Sequence, residues 1–233
     1  MDAISLGQLL TFLGLEAAML YVYARFGLEV LRRFNSLHLL LIPIYMPKLF
    51  DVLGFPAHVN SVFLATIIAA YLAEGLACGP RSIWTTLRNG MFTVTAFSAL
   101  TLLMGSLIPV PGNETQSYMA AFFATRTVDI NVVLLTAFPL EIACLVGLLH
   151  LTRGMNTVAR VLGISTLLHV LETLVLTVLL PNHLYDPWPL MFTGMALKSV
   201  ATPLLCWAAL AGLQSYGNSG EPKSRLFASY FRH

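Results

Sequence analysis

Charged residues are scarce in this sequence. Asp, Glu, Lys and Arg make up 10% of its 233 residues, whereas hydrophobic residues make up 57%. An ordinary soluble domain has roughly 25% charged residues, and the mean hydropathy here is +0.77. So little charge does not cover the surface of a water-soluble globule. This scarcity excludes a soluble enzyme, a nucleic-acid-binding module and a disordered regulator, and it indicates an integral membrane protein in contact with the lipid bilayer.

Cysteines and catalytic motifs are also missing or few. The three cysteines, Cys78, Cys144 and Cys206, lie in apolar runs without metal-ligand spacing, and their odd number argues against a disulfide framework. We interpret them as packing residues. The sequence contains no zinc-protease motif, no nucleophile elbow and no glycine-rich phosphate loop. We therefore expect no enzymatic activity, no catalytic residue, no metal and no cofactor, and a net charge of +2 suggests no nucleic-acid partner.

Long apolar runs dominate what is present. They predict an all-α transmembrane bundle of seven spans, because transmembrane barrel strands would alternate over about ten residues. The predicted spans are Leu6–Ala24, Leu28–Phe50, Val59–Cys78, Trp84–Ile108, Ile130–Leu151, Val158–Leu180 and Leu190–Leu213. Six spans are the alternative, because the second run contains two arginines and two prolines.

The basic residues support the odd number of spans. With seven spans, ten of the 13 basic residues lie on one side of the membrane: Arg25, Arg32, Arg33, Arg81, Arg88, Arg153, Arg160, Lys223, Arg225 and Arg232. The positive-inside rule then places the N-terminus outside and the C-terminus in the cytoplasm, in the inner or plasma membrane of a cell. We expect one transmembrane domain over residues 1–213. A short basic and aromatic cytoplasmic tail follows over residues 214–233, next to the anionic leaflet.

Six ionisable residues lie inside the predicted spans, where each costs about 2.5 kcal/mol or more without a partner. They are Glu16, Glu74, Glu141, His169, Glu172 and Lys198. Such residues normally face the interior of a bundle and mark the site of function.

His169, Glu172 and Lys198 are the most informative of these. His169 and Glu172 are three residues apart, so they share a helix face. The seventh span follows the sixth after a short connection, which makes an ion pair between Glu172 and Lys198 sterically plausible. Three interpretations stay open: an ion pair that fixes helix register, a polar ligand pocket, and a proton relay.

Glu74 and Glu141 have different surroundings. Glu74 lies one turn from the cytoplasmic end of its span and close to Arg81, so we expect an interfacial ion pair, with a place in the ligand site as the alternative. Glu141 follows Pro139, which removes a backbone hydrogen bond near the middle of the span. A carboxylate beside such a break can line a cavity, although the proline can equally be no more than a kink.

Several short motifs occur in the order and spacing typical of one transporter family. They are Ala24–Leu31, Lys48–Gly54, Val62–Thr66 with Glu74 and Gly79–Ser82, Ser165–Leu168 with His169 and Glu172, and Lys198 with Thr202–Pro203. In these motifs the chain resembles the queuosine-precursor transporter (VUT) family. The resemblance implies a bundle like the substrate-binding component of energy-coupling-factor vitamin importers.

The resemblance also implies a cargo, a 7-deazaguanine base. Its adjacent N–H donors suit a carboxylate, for which Glu172 is the first candidate and Glu141 the second, with His169 and Lys198 beside them. Glu74 completes the predicted substrate-binding residues. The alternatives are a ligand-sensing module on a transporter-like scaffold that signals to a cytoplasmic partner, and a structural membrane protein. The transporter and the sensing module are both compatible with a homo-oligomer or with a separate coupling protein.

Overall fold

A computed structural model of the chain describes residues 3–45, 49–52, 55–106, 127–179 and 188–218. These residues form seven helices and one two-stranded hairpin, and the prediction of a helical architecture is confirmed. The helices are α1 (Ala3–Arg25), α2 (Leu28–Tyr45), α3 (Asn60–Cys78), α4 (Pro80–Ser106), α5 (Thr127–Leu151), α6 (Thr157–Leu179) and α7 (Trp188–Gly217). The strands are β1 (Leu49–Val52) and β2 (Phe55–His58), between α2 and α3.

Each predicted span overlaps one helix, although the bounds differ. Within the described residues, four helical segments are long and apolar enough to cross a membrane: Leu6–Arg25, Asn60–Cys78, Thr157–Leu174 and Met191–Gly217. The segment Leu135–Leu151 of α5 is apolar but shorter. The helices are thus compatible with an integral membrane protein, and the number of spans stays a prediction. The last helix extends to Gly217, into the segment predicted as the tail, and residues 219–233 lie outside the described residues.

A short hairpin follows α2, within the segment predicted as the end of the second span. The second span was expected to end at Phe50, but α2 ends at Tyr45. The strands pair antiparallel, with Leu49 opposite His58 and Val52 opposite Phe55. The physical reason lies in the sequence of this segment, because Pro47 disfavours a helical residue before it. The two residues that connect the strands also include a glycine, which favours a tight hairpin turn.

Helix α3 lies at the centre of the bundle. It packs most extensively against α7 and also contacts α1, α2, α4 and α5. Most of its side chains are buried, because its many alanines let neighbouring helices approach closely. A methyl group on Gly75, for example, would collide with Leu149 of α5 and Ile83 of α4.

One end of the bundle gathers the helix termini that carry arginines. Gly27, which has a φ of +103° in the turn from α1 to α2, lies against the ring of Tyr216 near the end of α7. Leu149 near the end of α5 lies against Gly75 near the end of α3, and Arg160 near the start of α6 donates to the Leu149 carbonyl at 3.1 Å. The segments at this end, called the arginine end below, carry Arg25, Arg32, Arg33, Arg81, Arg88, Arg153 and Arg160. This end thus contains the C-terminal ends of α1, α3, α5 and α7 and the N-terminal ends of α2, α4 and α6.

Helices α1 and α7 approach each other most closely at Gly212. A Cβ atom at this position would collide with the backbone carbonyl oxygen of Tyr21 and with the Cβ of Ala24. Backbone atoms do not yield as a flexible side chain does, so the crossing requires a glycine.

We expect Gly212→Ala to lower the free energy of unfolding by about 1–3 kcal/mol, the usual effect of overpacking. Alanine has a higher helix propensity than glycine. A loss of stability in this variant therefore comes from the steric clash and not from helix propensity. The matched control is Gly147→Ala on α5, where an added methyl group meets nothing within 4 Å. Thermal unfolding in detergent, followed by circular dichroism, measures both variants. Equal stability of Gly212→Ala and the parent would contradict the close crossing.

Candidate functional site

Helices α5, α6 and α7 bring five polar side chains together. Lys198 Nζ lies 2.5 Å from Glu172 Oε1, so the ion pair predicted from the sequence is formed. His169 Nδ1 lies 3.0 Å from Glu172 Oε2 and His169 Nε2 lies 2.8 Å from Thr202 Oγ1. Glu141 Oε1 of α5 lies 4.0 Å from His169 Nδ1. We call Glu141, His169, Glu172, Lys198 and Thr202 the central cluster.

The hydrogen bonds of the central cluster assign its protons. Glu172 faces the Lys198 ammonium and is a carboxylate, which only accepts hydrogen bonds. His169 Nδ1 therefore carries the hydrogen and donates to Glu172 Oε2. The neutral ring then accepts the Thr202 hydroxyl at Nε2. In this arrangement Glu172 and Lys198 cancel in charge, and His169 adds none.

Glu141 is the side chain whose hydrogen bonds are incomplete. Its side chain is 8% exposed, and its Oε1 atom has no hydrogen-bond partner among the described residues. A buried polar atom without a partner costs about 1–3 kcal/mol, more if charged. The Oγ atom of Ser165, one turn before His169 on α6, is also buried without a partner in the described structure. The central cluster thus offers a carboxylate oxygen to a further molecule, and Ser165 on the same helix as His169 offers a hydroxyl.

The local sequence positions the cluster at mid-depth in the bundle. Glu141 lies ten residues before the end of α5, and His169 lies twelve after the start of α6. At 1.5 Å per residue these are about 15 and 18 Å from the arginine end, half of a hydrocarbon core of about 30 Å. Pro139 lies within α5, and Pro203 lies within α7 directly after Thr202. Both helices continue through their prolines, so each proline removes one backbone donor beside the cluster without ending the helix.

Three atoms of the cluster are close enough to hold a metal ion. Donor atoms of Glu141, His169 and Glu172 lie within 4.8 Å of one another. The Lys198 ammonium, however, already neutralises Glu172 at 2.5 Å. A divalent ion would lie beside that positive charge, so the arrangement suits a neutral molecule with N–H donors better.

The structure does not bring Glu74 into the central cluster. Glu74 was expected to pair with Arg81, but Arg81 is exposed and Glu74 Oε1 accepts from Arg32 of α2, at 2.7 Å from Nη2 and 3.1 Å from Nε. Ser82 also donates to Glu74 Oε1, and Thr86 donates to Oε2 at 2.6 Å. The reason for the correction is geometric. α4 starts directly after Gly79, which points Arg81 outward and turns Ser82 and Thr86 toward α3.

With these bonds, both Glu74 oxygens have donors. Arg32 also donates to Glu29 at 2.5 Å, and this second carboxylate is 70% exposed whereas Glu74 is 2% exposed. These contacts tie α2, α3 and α4 together at the arginine end. The geometry indicates a structural role for Glu74.

The sequence reasoning missed a third buried pair. Glu16 of α1 was recognised only as an ionisable residue inside a span, but His38 Nε2 of α2 lies 3.0 Å from its Oε2. The sequence spacing indicates this pair, because Glu16 lies eleven residues before Gly27 and His38 lies eleven residues after it. Two antiparallel helices joined at Gly27 bring such positions opposite each other.

These features define a helical protein with membrane-length apolar helices and an ionisable cluster at mid-depth. The sequence matches no protein-family model, no curated protein and no solved structure. The resemblance to the queuosine-precursor transporter family therefore stays an expectation based on its motifs.

The two carboxylates bound to Arg32 provide a matched test of the structural cluster. We expect Glu74→Gln to lower the free energy of unfolding by about 3 kcal/mol, since it removes one partner of a buried pair while Arg32 keeps Glu29. Glu29→Gln, on the exposed partner, should change it by less than about 1 kcal/mol. Chemical or thermal unfolding of the two purified variants makes the comparison, and equal effects would contradict a structural role specific to Glu74.

Proposed function

We propose that this chain is an integral membrane transporter of a small organic molecule that binds at the central cluster. The observation that carries the proposal is Glu141 Oε1, a buried carboxylate oxygen without a donor, beside the fully bonded His169 and Glu172. A cargo with N–H groups provides the missing donor.

Charge balance favours such a cargo. Glu172 and Lys198 neutralise each other and His169 is neutral, so the described cluster holds no cation for an ionised Glu141, and burial favours the neutral acid until a donor binds. An isolated charge in an apolar interior is strongly unfavourable unless it is paired or hydrogen-bonded. Binding of an N–H donor to Glu141 thus gains more free energy inside the bundle than in water, where the carboxylate is already hydrated.

A flat base with adjacent N–H donors fits these requirements best. Two neighbouring N–H groups can donate in parallel to one carboxylate, as in the strongest hydrogen-bonded pairs in proteins. A 7-deazaguanine base has this pattern and is the cargo implied by the family resemblance. In this assignment Glu141 binds the base, and Glu172, held by Lys198 and His169, provides the second acidic oxygen near it.

The distribution of arginines supports the proposed topology. The seven arginines among the described residues belong to segments that meet at the arginine end. Cytoplasmic segments of membrane proteins carry an excess of Lys and Arg. We propose seven spans in the plasma or inner membrane, with the arginine end in the cytoplasm and the N-terminus outside.

We expect proteoliposomes that contain the protein to take up labelled 7-deazaguanine base, and Glu141→Gln to reduce the rate by tenfold or more. A tenfold loss corresponds to about 1.4 kcal/mol, within the range for a charge-assisted hydrogen bond. Filtration of the vesicles and counting of retained label measure the rate. The control is Glu29→Gln, the same chemical change at an exposed position, which should transport like the parent.

Two outcomes would contradict the transporter. Uptake equal to that of empty vesicles, with correctly inserted protein, would exclude this cargo. Saturable binding of the base without flux would replace transport by the sensing function. Full activity of Glu141→Gln would show that the cargo binds elsewhere.

A further inference from the structure

A second buried ionisable pair lies outside the central cluster. Glu16 Oε2 and His38 Nε2 are 3.0 Å apart, and the two residues are 1% and 3% exposed. Glu16 lies nine residues before the end of α1 and His38 ten after the start of α2. The pair is therefore about 14–15 Å from the arginine end, at nearly the depth of Glu141.

The hydrogen bonds of His38 fix the number of protons in this pair. Its Nδ1 atom lies 3.2 Å from the backbone carbonyl oxygen of Phe34. A carbonyl oxygen only accepts, so Nδ1 carries a hydrogen and donates it. Nε2 then faces Glu16 Oε2, and a hydrogen bond between these two atoms needs exactly one proton, on either of them. The pair as a whole is neutral whichever atom holds that proton.

Unpartnered polar atoms adjoin the pair. Glu16 Oε1 has no hydrogen-bond partner in the described part of the chain, and neither has Asn35 Oδ1 or Nδ2. Asn35 is 1% exposed and precedes His38 by three residues, so both lie on one face of α2. Buried polar atoms of this kind are usually satisfied by ordered water. Two acceptors and one donor are thus present for a water molecule that delivers or receives a proton.

Aromatic rings surround the pair. The ring of His38 lies 3.9 Å from that of Phe34 and 5.5 Å from that of Phe63, centroid to centroid. Phe12 of α1 packs edge-on against Phe63 at 5.3 Å. These rings lower the local dielectric, which strengthens the Glu16–His38 bond and makes separated charges unfavourable.

The other described charged side chains on the pair's own helices and on the elements packed against them have other surroundings. They are Arg25, Glu29, Arg32, Arg33, Glu74, Arg81, Arg88, Glu141 and Lys198. Arg32 is bound to Glu74 and Lys198 to Glu172. Arg25, Arg33, Arg81 and Arg88 are exposed. Among the described side chains, the basic partner of Glu16 is therefore His38. No described arginine or lysine is bound to Glu16.

We propose that Glu16 and His38 form the proton-binding site of this protein and couple cargo movement to a proton gradient. The coupling rests on the proposed transport, whereas the presence of the shared proton does not. Uptake transfers a proton from hydronium into the space between Nε2 and Oε2 and leaves water. Release returns the proton to water and leaves a carboxylate opposite the lone pair of a neutral imidazole.

Release is linked to helix movement by this chemistry. The carboxylate and the imidazole lone pair repel each other once the proton is gone, in surroundings that do not hydrate the charge. The deprotonated pair is stable only when α1 and α2 separate enough to admit water. Proton exchange and helix rearrangement then occur together, which is the requirement for coupled transport.

Spectroscopy of the full-length protein in lipid nanodiscs tests the shared proton without any cargo. Nitrogen-15 NMR reports the protonation of His38 Nε2, and infrared spectroscopy reports a protonated Glu16 carboxyl group, with Glu16→Gln and His38→Gln used for assignment. We expect one of the two signals to be present at neutral pH, because the hydrogen bond between Nε2 and Oε2 needs one proton. A neutral imidazole together with an ionised Glu16 under these conditions would overturn the proposal.

Transport measurements test the coupling. One pH unit across the vesicle is a tenfold proton ratio, so one-to-one coupling supports about tenfold accumulation of labelled 7-deazaguanine. We expect Glu16→Gln to lose this accumulation and to retain cargo exchange between equal concentrations on both sides. Glu29→Gln should retain both. Accumulation by Glu16→Gln at the parental level would overturn the coupling.

If Glu16→Gln also fails to exchange cargo, measurements on the parent protein test the proton coupling. A pH-sensitive dye inside the vesicles should then show proton entry when the parent imports the base, and cargo uptake without a proton signal would overturn the proposal. If the parent moves no base at all, the proposed transport fails and the coupling fails with it, while the spectra still decide whether the pair holds a proton.

Discussion

Glu16, Glu74 and Glu172 lie on three different helices, and each is bound to a basic side chain of another helix: His38, Arg32 and Lys198. Removing either member of such a pair would strand a buried charge, so the pairs constrain how the helices lie against one another. Glu16 sets the register of α1 on α2, Glu74 joins α2, α3 and α4, and Glu172 joins α6 and α7. The hydrophobic contacts of α3 add close packing, since its alanines and Gly75 let the neighbouring helices approach.

The three pairs differ in how completely their hydrogen bonds are satisfied. Both oxygens of Glu74 have donors, and so do both oxygens of Glu172. Glu141 and Glu16 each keep one buried oxygen without a partner in the part of the chain that the structure describes. Saturated carboxylates hold helices together, whereas unsaturated ones have free capacity for a ligand or a proton. This difference supports the roles proposed for Glu141 and Glu16.

Part of the arrangement was predictable from local spacing. His169 and Glu172 share a helix face because they are three residues apart, and the short connection before α7 allows Lys198 to reach them. The Glu16–His38 pair was equally predictable from the symmetric spacing around Gly27. The partner of Glu74 was not, because Arg81 is nearer in sequence and only the packing of α2 across α3 and α4 brings Arg32 closer. The hairpin after α2 was also missed, since hydropathy continues through Phe50 while the prolines end the helix.

Composition and periodicity by themselves determined the helical class, the approximate position of each helix and the short set of ionisable residues from which any site is built. They did so because a lipid-facing chain satisfies its backbone only in regular elements and tolerates few charges. Only the tertiary structure decided which charges meet, that Thr202 completes His169, and that Glu141 and Glu16 retain unpaired oxygens. These contacts join residues far apart in the chain, and their formation depends on the rotation of each helix about its axis, which apolar patterns this uniform leave unspecified.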